Sequence, residues 1–266
     1  MAEPDTEPGT EATDISARAA EIAADVSETD RPQERRRLMS AFTRAATASA
    51  RAAGRGTRAA GRGTRAVRQR AGSGGERLVS QVVAMAPRLR VRDQATLRAQ
   101  FPGLSADELA DTLIDHAAHA AAAAGGAAGM VAILPVLPAF PVEVAAETLV
   151  VVGIEIKLVA ELHEAYGVPA RGKRAERMNS YLAAWAHRRG VFMVEGGLIL
   201  AAGSPLARLL RRRLISRAGR SAVSLGPLLT GAAAGAMFNS RETRKLGRDI
   251  QRDLRRRAIG SWRRHW

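Results

Sequence analysis

The sequence predicts an all-α fold, a helical bundle around a Gly/Ala-rich apolar hairpin, on three observations. Aromatic residues are only 4% of the 266 and strand formers are sparse, so Ala, Leu and Val must supply the core. Between His119 and Glu143 run 23 residues without a charge, rich in Ala and Gly and broken late by Pro135, Pro138 and Pro141. Elsewhere apolar residues recur at helical spacing, through Leu109, Leu113 and Ile114 and again through Leu246, Ile250 and Leu254.

The first 75 residues read as a disordered tail, acidic and then rich in Arg and Gly. Residues 1–34 carry ten acids and two arginines and are expected to be disordered. Ile15, Ala19, Ile22 and Val26 stand at helical spacing and allow a short transient helix. These residues hold no apolar run of the signal-peptide kind, so the N-terminus is expected on the cytoplasmic side. Residues 35–72 carry eleven arginines and no acid, with the heptad AAGRGTR at 52–58 repeated at 59–65. That period sets Arg51, Arg58 and Arg65 on one helical stripe. Two glycines per repeat, each costing about 1 kcal/mol against Ala, leave the stripe frayed until an anionic surface orders it. GSGG at 72–75 reads as a linker.

A helical, membrane-associated core is expected over 76–240. Leu78, Val82 and Val83 give an amphipathic turn stopped by Pro87, and Pro102-Gly103 marks a loop. Ser105 and Glu108 have capping-box spacing, with acids gathered in the first turn of the helix they open. That helix leads into the hairpin, with arms at 117–134 and 141–166 and the three prolines at its turn. GxxxG occurs at Gly125–Gly129 and again at Gly231–Gly235. Such pairs clear a helix face for another backbone, both in lipid and in Ala-rich soluble cores. Wholly helical, the uncharged run would cross a hydrocarbon core of about 30 Å. Glu143, Glu147 and Glu155 oppose this, since a carboxylate at the bilayer centre costs about 2.5–3.5 kcal/mol. Two full spans, a re-entrant hairpin and a bundle that docks on a bilayer are all open at this point.

Beyond a basic loop come a helix at 178–189, an apolar stretch at 191–202, a basic stretch at 208–220 with Arg211, Arg212 and Arg213, and an apolar stretch at 222–238. A separate basic amphipathic helix is expected over 241–266. It sets Leu246, Ile250, Leu254, Ala258, Trp262 and Trp266 four residues apart, beside arginines that include Arg255, Arg256 and Arg257. Either Trp262 and Trp266 settle at headgroup level, or the stripe packs on the core and the arginines solvate its outer face.

Patterns that would carry catalysis fail on their residues. The chain has no cysteine, which excludes disulfides and thiolate chemistry. The GxxxxGK at 167–173 follows a helix, contains Pro169 and has Arg174 where Ser or Thr would hold magnesium. Asp111, Asp115 and His119, with Glu143 and Glu147 across the turn, lack the Glu-x-x-His pairs of a di-metal bundle. His163, His187 and His265 read as surface or cap residues, and there is no G-x-S-x-G elbow. No enzyme activity, catalytic residue, metal site or cofactor is expected.

The net charge of +15 is segregated: −8 over 1–34, +11 over 35–72, −1 over 73–207 and +13 over 208–266. Two basic blocks bracketing an apolar centre point to an anionic partner, acidic membrane lipids first and nucleic acid second. A soluble helical scaffold for an acidic protein is the third reading.

The stretch GGAAGMVAILPVLPAFPVEVAAETLVVVGIEIKLVAELHEAYG (125–167) resembles the EcsC-like bacterial family in its Gly/Ala-rich helix, Pro-containing turn and helix ending in Tyr166-Gly167. GPLLTGAAAGAMFNSRETRKLG (226–247) is similar to that family's later segment, with Asn239 opening a polar helix. The resemblance covers roughly 105–250 and implies a mostly helical, membrane-associated protein, the family's name coming from an accessory of a transporter operon, so that a membrane-protein partner is open. Basic residues on both sides of the hairpin base, and none at its Pro-rich tip, set both ends at the cytoplasmic face of the cell membrane.

Overall fold

Residues 140–165 form the centre of the molecule because no other segment is so continuously apolar. A helix that is hydrophobic all round has to be enclosed, and from Ala146 to Leu162 every residue of this one is buried. The structure is a computed structural model that describes residues 8–39, 41, 78–131, 140–189 and 230–262, and these are all-α, with no strand among them. In chain order the helices are α1 (Pro8–Glu28), α2 (32–39), α3 (78–85, running into a 3₁₀ turn at Ala86–Arg88), α4 (Gln94–Gln100), α5 (Ala106–Val131), α6 (Phe140–Ala165), α7 (Arg174–Arg188) and α8 (Thr230–Trp262).

Around α6 pack α1, α5, α7 and α8. α5 and α8 run antiparallel: Asp107 meets Arg255, Asp111 meets Gln251, Asp115 meets Arg244 and Ala121 meets Asn239. α5 and α6 are the two arms of the hairpin, tied at their open end by the Tyr166 hydroxyl donating to Asp107. Burial and that carboxylate push the Tyr166 pKa up to about 12. α7 returns antiparallel to α6, from the Arg177–Glu164 pair to the Arg189–Glu155 pair.

Local sequence sets the helix ends. Ser105 Oγ accepts from the Glu108 amide at 3.3 Å, and Glu108 accepts from the Ser105 amide at 2.8 Å, closing the capping box. α6 ends at Gly167, whose φ of +68° suits glycine. The Val168 and Gly167 amides then bond back to the His163 and Glu164 carbonyls.

Two expectations change. Residues 8–28, read from the sequence as disordered, form α1, with Ala19, Ala20, Ala23, Ala24 and Val26 buried. Close approach explains this: Gly153 of α6 leaves a slot for Ala23, so small side chains gain dispersion contacts that composition does not reveal. The boundary at 240 also disappears, because α8 joins the apolar run to the basic helix without a break. Its Leu246, Ile250 and Leu254 are buried in the core, so this part of the stripe faces protein. The Arg51, Arg58 and Arg65 repeat, Pro135, Pro138, Arg211, Arg212, Arg213 and Trp266 lie outside the described residues.

α6 carries charge into the core, and the charge is matched. Arg92 grips Glu161 with two prongs, Nε at 2.9 Å and Nη2 at 2.7 Å, while Lys157 pairs with it from one turn earlier. Burial alone would raise the Glu161 pKa; Lys157 and Arg92 overcome this and hold it below the usual carboxylate range. Glu155 accepts from Trp185 Nε1 at 2.7 Å and from Arg189.

These groups set an expected pH dependence. His116 and His163 are both held below the ordinary imidazole value of 6.5, chiefly by burial. An imidazole that binds its proton less readily folded than unfolded adds stability above the unfolded value and loses it as pH falls through the folded one. Glu161, held down by Lys157 and Arg92, and Asp107, held down by Arg255, act with the same sign at lower pH. The melting temperature should be flat from about pH 8 to 7, fall between about 6.5 and 5, and fall faster below about 4.5. His163→Gln should flatten the first descent in a pH series of thermal melts. Stabilisation on acidifying from about pH 7 to 5 would contradict the assignment.

Candidate functional site: the uncharged end of the bundle

Charge is distributed along the bundle axis. At one end stand Asp107 with Arg255, Asp111 with Gln251 and Asp115 with Arg244. Past His119, α5 carries no charge through Val131, a length of about 18 Å at 1.5 Å per residue. α8 carries none from Thr230 to Ser240.

These uncharged lengths meet through glycine. A Cβ on Gly125 would lie 2.6 Å from the Gly235 carbonyl oxygen and 2.6 Å from Asn239 Nδ2; one on Gly235 would lie 3.0 Å from the Gly125 oxygen. One glycine of each GxxxG pair thus faces the other across the α5–α8 interface. Their companions Gly129 and Gly231 lie one turn further toward the same end of α5 and α8, and Pro141 lies in the first turn of α6. Asn239 Nδ2 donates to the Ala121 carbonyl at 3.3 Å and to Glu147 at 3.0 Å, so the buried Glu147 carboxylate is held inside protein.

Two large apolar side chains are exposed at this end among the described residues. Met237 is 61% exposed and Phe238 41%, and the third exposed large hydrophobic residue among those described, Val168, lies at the opposite end after α6. Three charge-poor sequences adjoin the described helices in the chain. Residues 132–139 (AILPVLPA) join α5 to α6, 190–207 follow α7, and 221–229 precede α8. The first and third hold no charge, and the second holds only Glu195. Met237 and Phe238 end the apolar stretch at 222–238, whose composition does not show which of its residues are exposed.

Of the arginines proposed for an anionic surface, the described ones, Arg255, Arg256 and Arg257, lie away from this end. Arg255 pairs with Asp107 at 2.7 Å and Arg256 with Asp253 at 3.1 Å. Arg256 lies 18 residues beyond Phe238 on α8, about 27 Å away along the axis. Trp262 closes α8 at that far end. Nearby, a cleft of about 500 Å³ opens between α6, α7 and α8, with Ile250 and Leu254 at its floor and His163, Arg188, Asp253 and Arg257 around it. His163 Nδ1 is bonded to the Val159 carbonyl at 2.7 Å, and Arg188 is tied to Asp253.

The loop at 167–173 is filled by its own helix. Glu176 accepts from the Lys173 amide at 2.9 Å and crowds Gly172, putting a carboxylate where a phosphate-binding loop needs open amides. Among the described residues no group of three His, Asp or Glu stands close enough to hold a metal ion, and no helix is long and apolar enough to cross a membrane. Comparison with protein-family models, with curated proteins and with solved structures returns no match for this chain.

Proposed function

We propose that this is a non-catalytic, membrane-associated helical protein that seats the charge-poor end of its bundle on an anionic bilayer, at the cytoplasmic face of the cell membrane. The observation that carries this reading is the exposure of Met237 and Phe238 where the helices at Ala106–Val131 and Thr230–Trp262 carry no charge, with three charge-poor sequences adjoining the helices in the chain. Apolar segments of this kind settle at the headgroup–acyl boundary. Arg211, Arg212 and Arg213 stand in the sequence between two of those connections, and each base near an anionic surface adds about 1 kcal/mol. The repeat with Arg51, Arg58 and Arg65 supplies a second polybasic segment. Docking or shallow re-entry fits better than spanning, since Glu147 and Glu155 of α6 have protein partners and Glu143 stands in the first turn of α6 at this end. The EcsC-like resemblance belongs to the same reading, with a membrane or transport system as the setting.

Vesicle flotation of the full-length chain tests it. Binding is expected with phosphatidylcholine containing about 30% phosphatidylglycerol, but not with phosphatidylcholine alone. Met237→Glu with Phe238→Glu should weaken binding at least about tenfold, since each exposed apolar side chain is worth about 1 kcal/mol or more when buried. Both residues are exposed, so thermal melts of the variant should match the parent. Failure to float at any salt concentration, together with a steeply salt-dependent shift of DNA, would put nucleic acid in the lipid's place.

A further inference from the structure

Lys157 is 1% exposed, and a buried lysine demands a reason. It has two carboxylate partners: Glu161 on its own helix, and Glu28 at the end of α1 at 3.0 Å. Glu161 is also gripped by Arg92, so the cluster holds two cations and two carboxylates only while α1 is in place. Two neighbouring contacts repeat the pattern: Asp25 of α1 pairs with Arg90, and Asp30 just beyond it lies 3.2 Å from His116 Nε2 on α5. Burial lowers the His116 pKa, and the Asp30 carboxylate beside it opposes that shift.

The groove beneath α1 is shaped for small residues. A Cβ added to Gly153 would lie 2.9 Å from the Ala23 Cβ and 3.3 Å from Met85 Sδ, so only a helix presenting a small side chain seats there. What α1 buries is correspondingly slight: alanines and Val26, with Ile22 partly covered. Its ion pairs are exposed on the α1 side, where salt screens them. In the sequence, residues 42 to 77 separate α2 from α3.

We infer that this groove is an exchangeable docking site for an acidic helix, with α1 as its built-in occupant and an acidic helix of a partner protein as its competitor. The partner's helix would carry small residues where α1 has Ala19, Ala20 and Ala23, followed by carboxylates at the spacing of Asp25 and Glu28. When α1 leaves, Glu161 still holds Lys157 and Arg92, so the site survives with one cation unmatched and facing the groove. That surplus cation is what a partner carboxylate neutralises. The inference is independent of the bilayer reading, and its test uses no lipid.

The probe is a fluorescent peptide of residues 8–30, titrated against the full-length chain and against the full-length Asp25→Lys/Glu28→Lys variant. The parent, with its groove occupied, should bind weakly. The variant, whose own α1 is repelled, should bind at least about tenfold tighter, and raising salt should weaken the complex. A peptide carrying the same two reversals should not bind. Equal binding by both chains, or binding by neither while circular dichroism shows the variant folded, would overturn the proposal. Hydrogen exchange on the parent gives a second check: amides of residues 17–28 should open before those of α5, α6 and α8, and sooner in high salt. Were α1 to exchange only with global unfolding, it would be a fixed part of the core and the proposal would fail.

Discussion

Gly125→Val is expected to cost about 3 kcal/mol or more and to lower the melting temperature by roughly 10 °C. The first methyl would already stand 2.6 Å from the Gly235 carbonyl oxygen, and a backbone atom in a helix cannot step aside. Overpacking of this kind costs about 1–3 kcal/mol. A second loss follows from the same motion. Pushing α8 away from α5 breaks the Asn239 bonds to Ala121 and Glu147, leaving a buried carboxylate short of a donor at about 1–3 kcal/mol more. Urea and thermal melts of Gly125→Ala, Gly125→Val and Gly125→Leu should fall in that order. Three variants within about 0.5 kcal/mol of the parent would mean that the two helices do not meet at glycine.

Much of this interface was legible in the sequence, for a physical reason. Glycines four apart mark a helix face, and two such faces in Ala-rich runs invite one another. The capping box at Ser105 and the stop at Gly167 were legible for a similar reason, because each depends on residues a few positions apart. Gly153 and Gly247 do comparable work against Ala23 and Ile114, yet a lone glycine carries no spacing to read. α1 was legible only as a transient helix through Ile15, Ala19, Ile22 and Val26; its docking stayed hidden because its alanines contribute only where another backbone comes close, and that closeness is a property of α6. The continuity of α8 was obscured by a change in composition near Ser240, which reads as a boundary although helix geometry crosses it without strain. Partner choice among the charges was the least legible. Whether Asp107 meets Arg255 or another arginine depends on the antiparallel register of α5 and α8, and glycine contacts far along the chain set that register.

The same register explains why the arginine-rich end and the apolar end of α8 are opposite poles of one element. The sequence sets Trp262 and Arg255 to Arg257 in a basic helix that would hold an anionic surface beside the apolar hairpin. In the fold, Arg255 and Arg256 close ion pairs at the end remote from Met237 and Phe238. A bilayer docked at the apolar pole therefore draws its cations from elsewhere in the chain, and neutralising Arg255 should change stability more than vesicle binding.

The second large effect is expected at Glu155, the carboxylate through which α6 holds both Trp185 and Arg189. It is 1% exposed, and Arg189 also reaches Glu242 of α8 at 2.9 Å, so the acid and the arginine together join three elements. Glu155→Met should cost about 3–5 kcal/mol, because a mostly buried guanidinium loses its inner partner. Arg189 Nε already lacks a hydrogen-bond partner among the described residues, leaving the group little reserve. Arg189→Met should be comparably costly, since it leaves the carboxylate buried without its cation. The double variant should then cost far less than the sum of the two, because neither charge remains to be desolvated. Its residual loss should be about 1–3 kcal/mol for the Trp185 N–H left without an acceptor. A coupling energy of about 2 kcal/mol or more from urea melts of the four chains is the expected result, and costs that simply add would show that the two side chains do not form the buried pair.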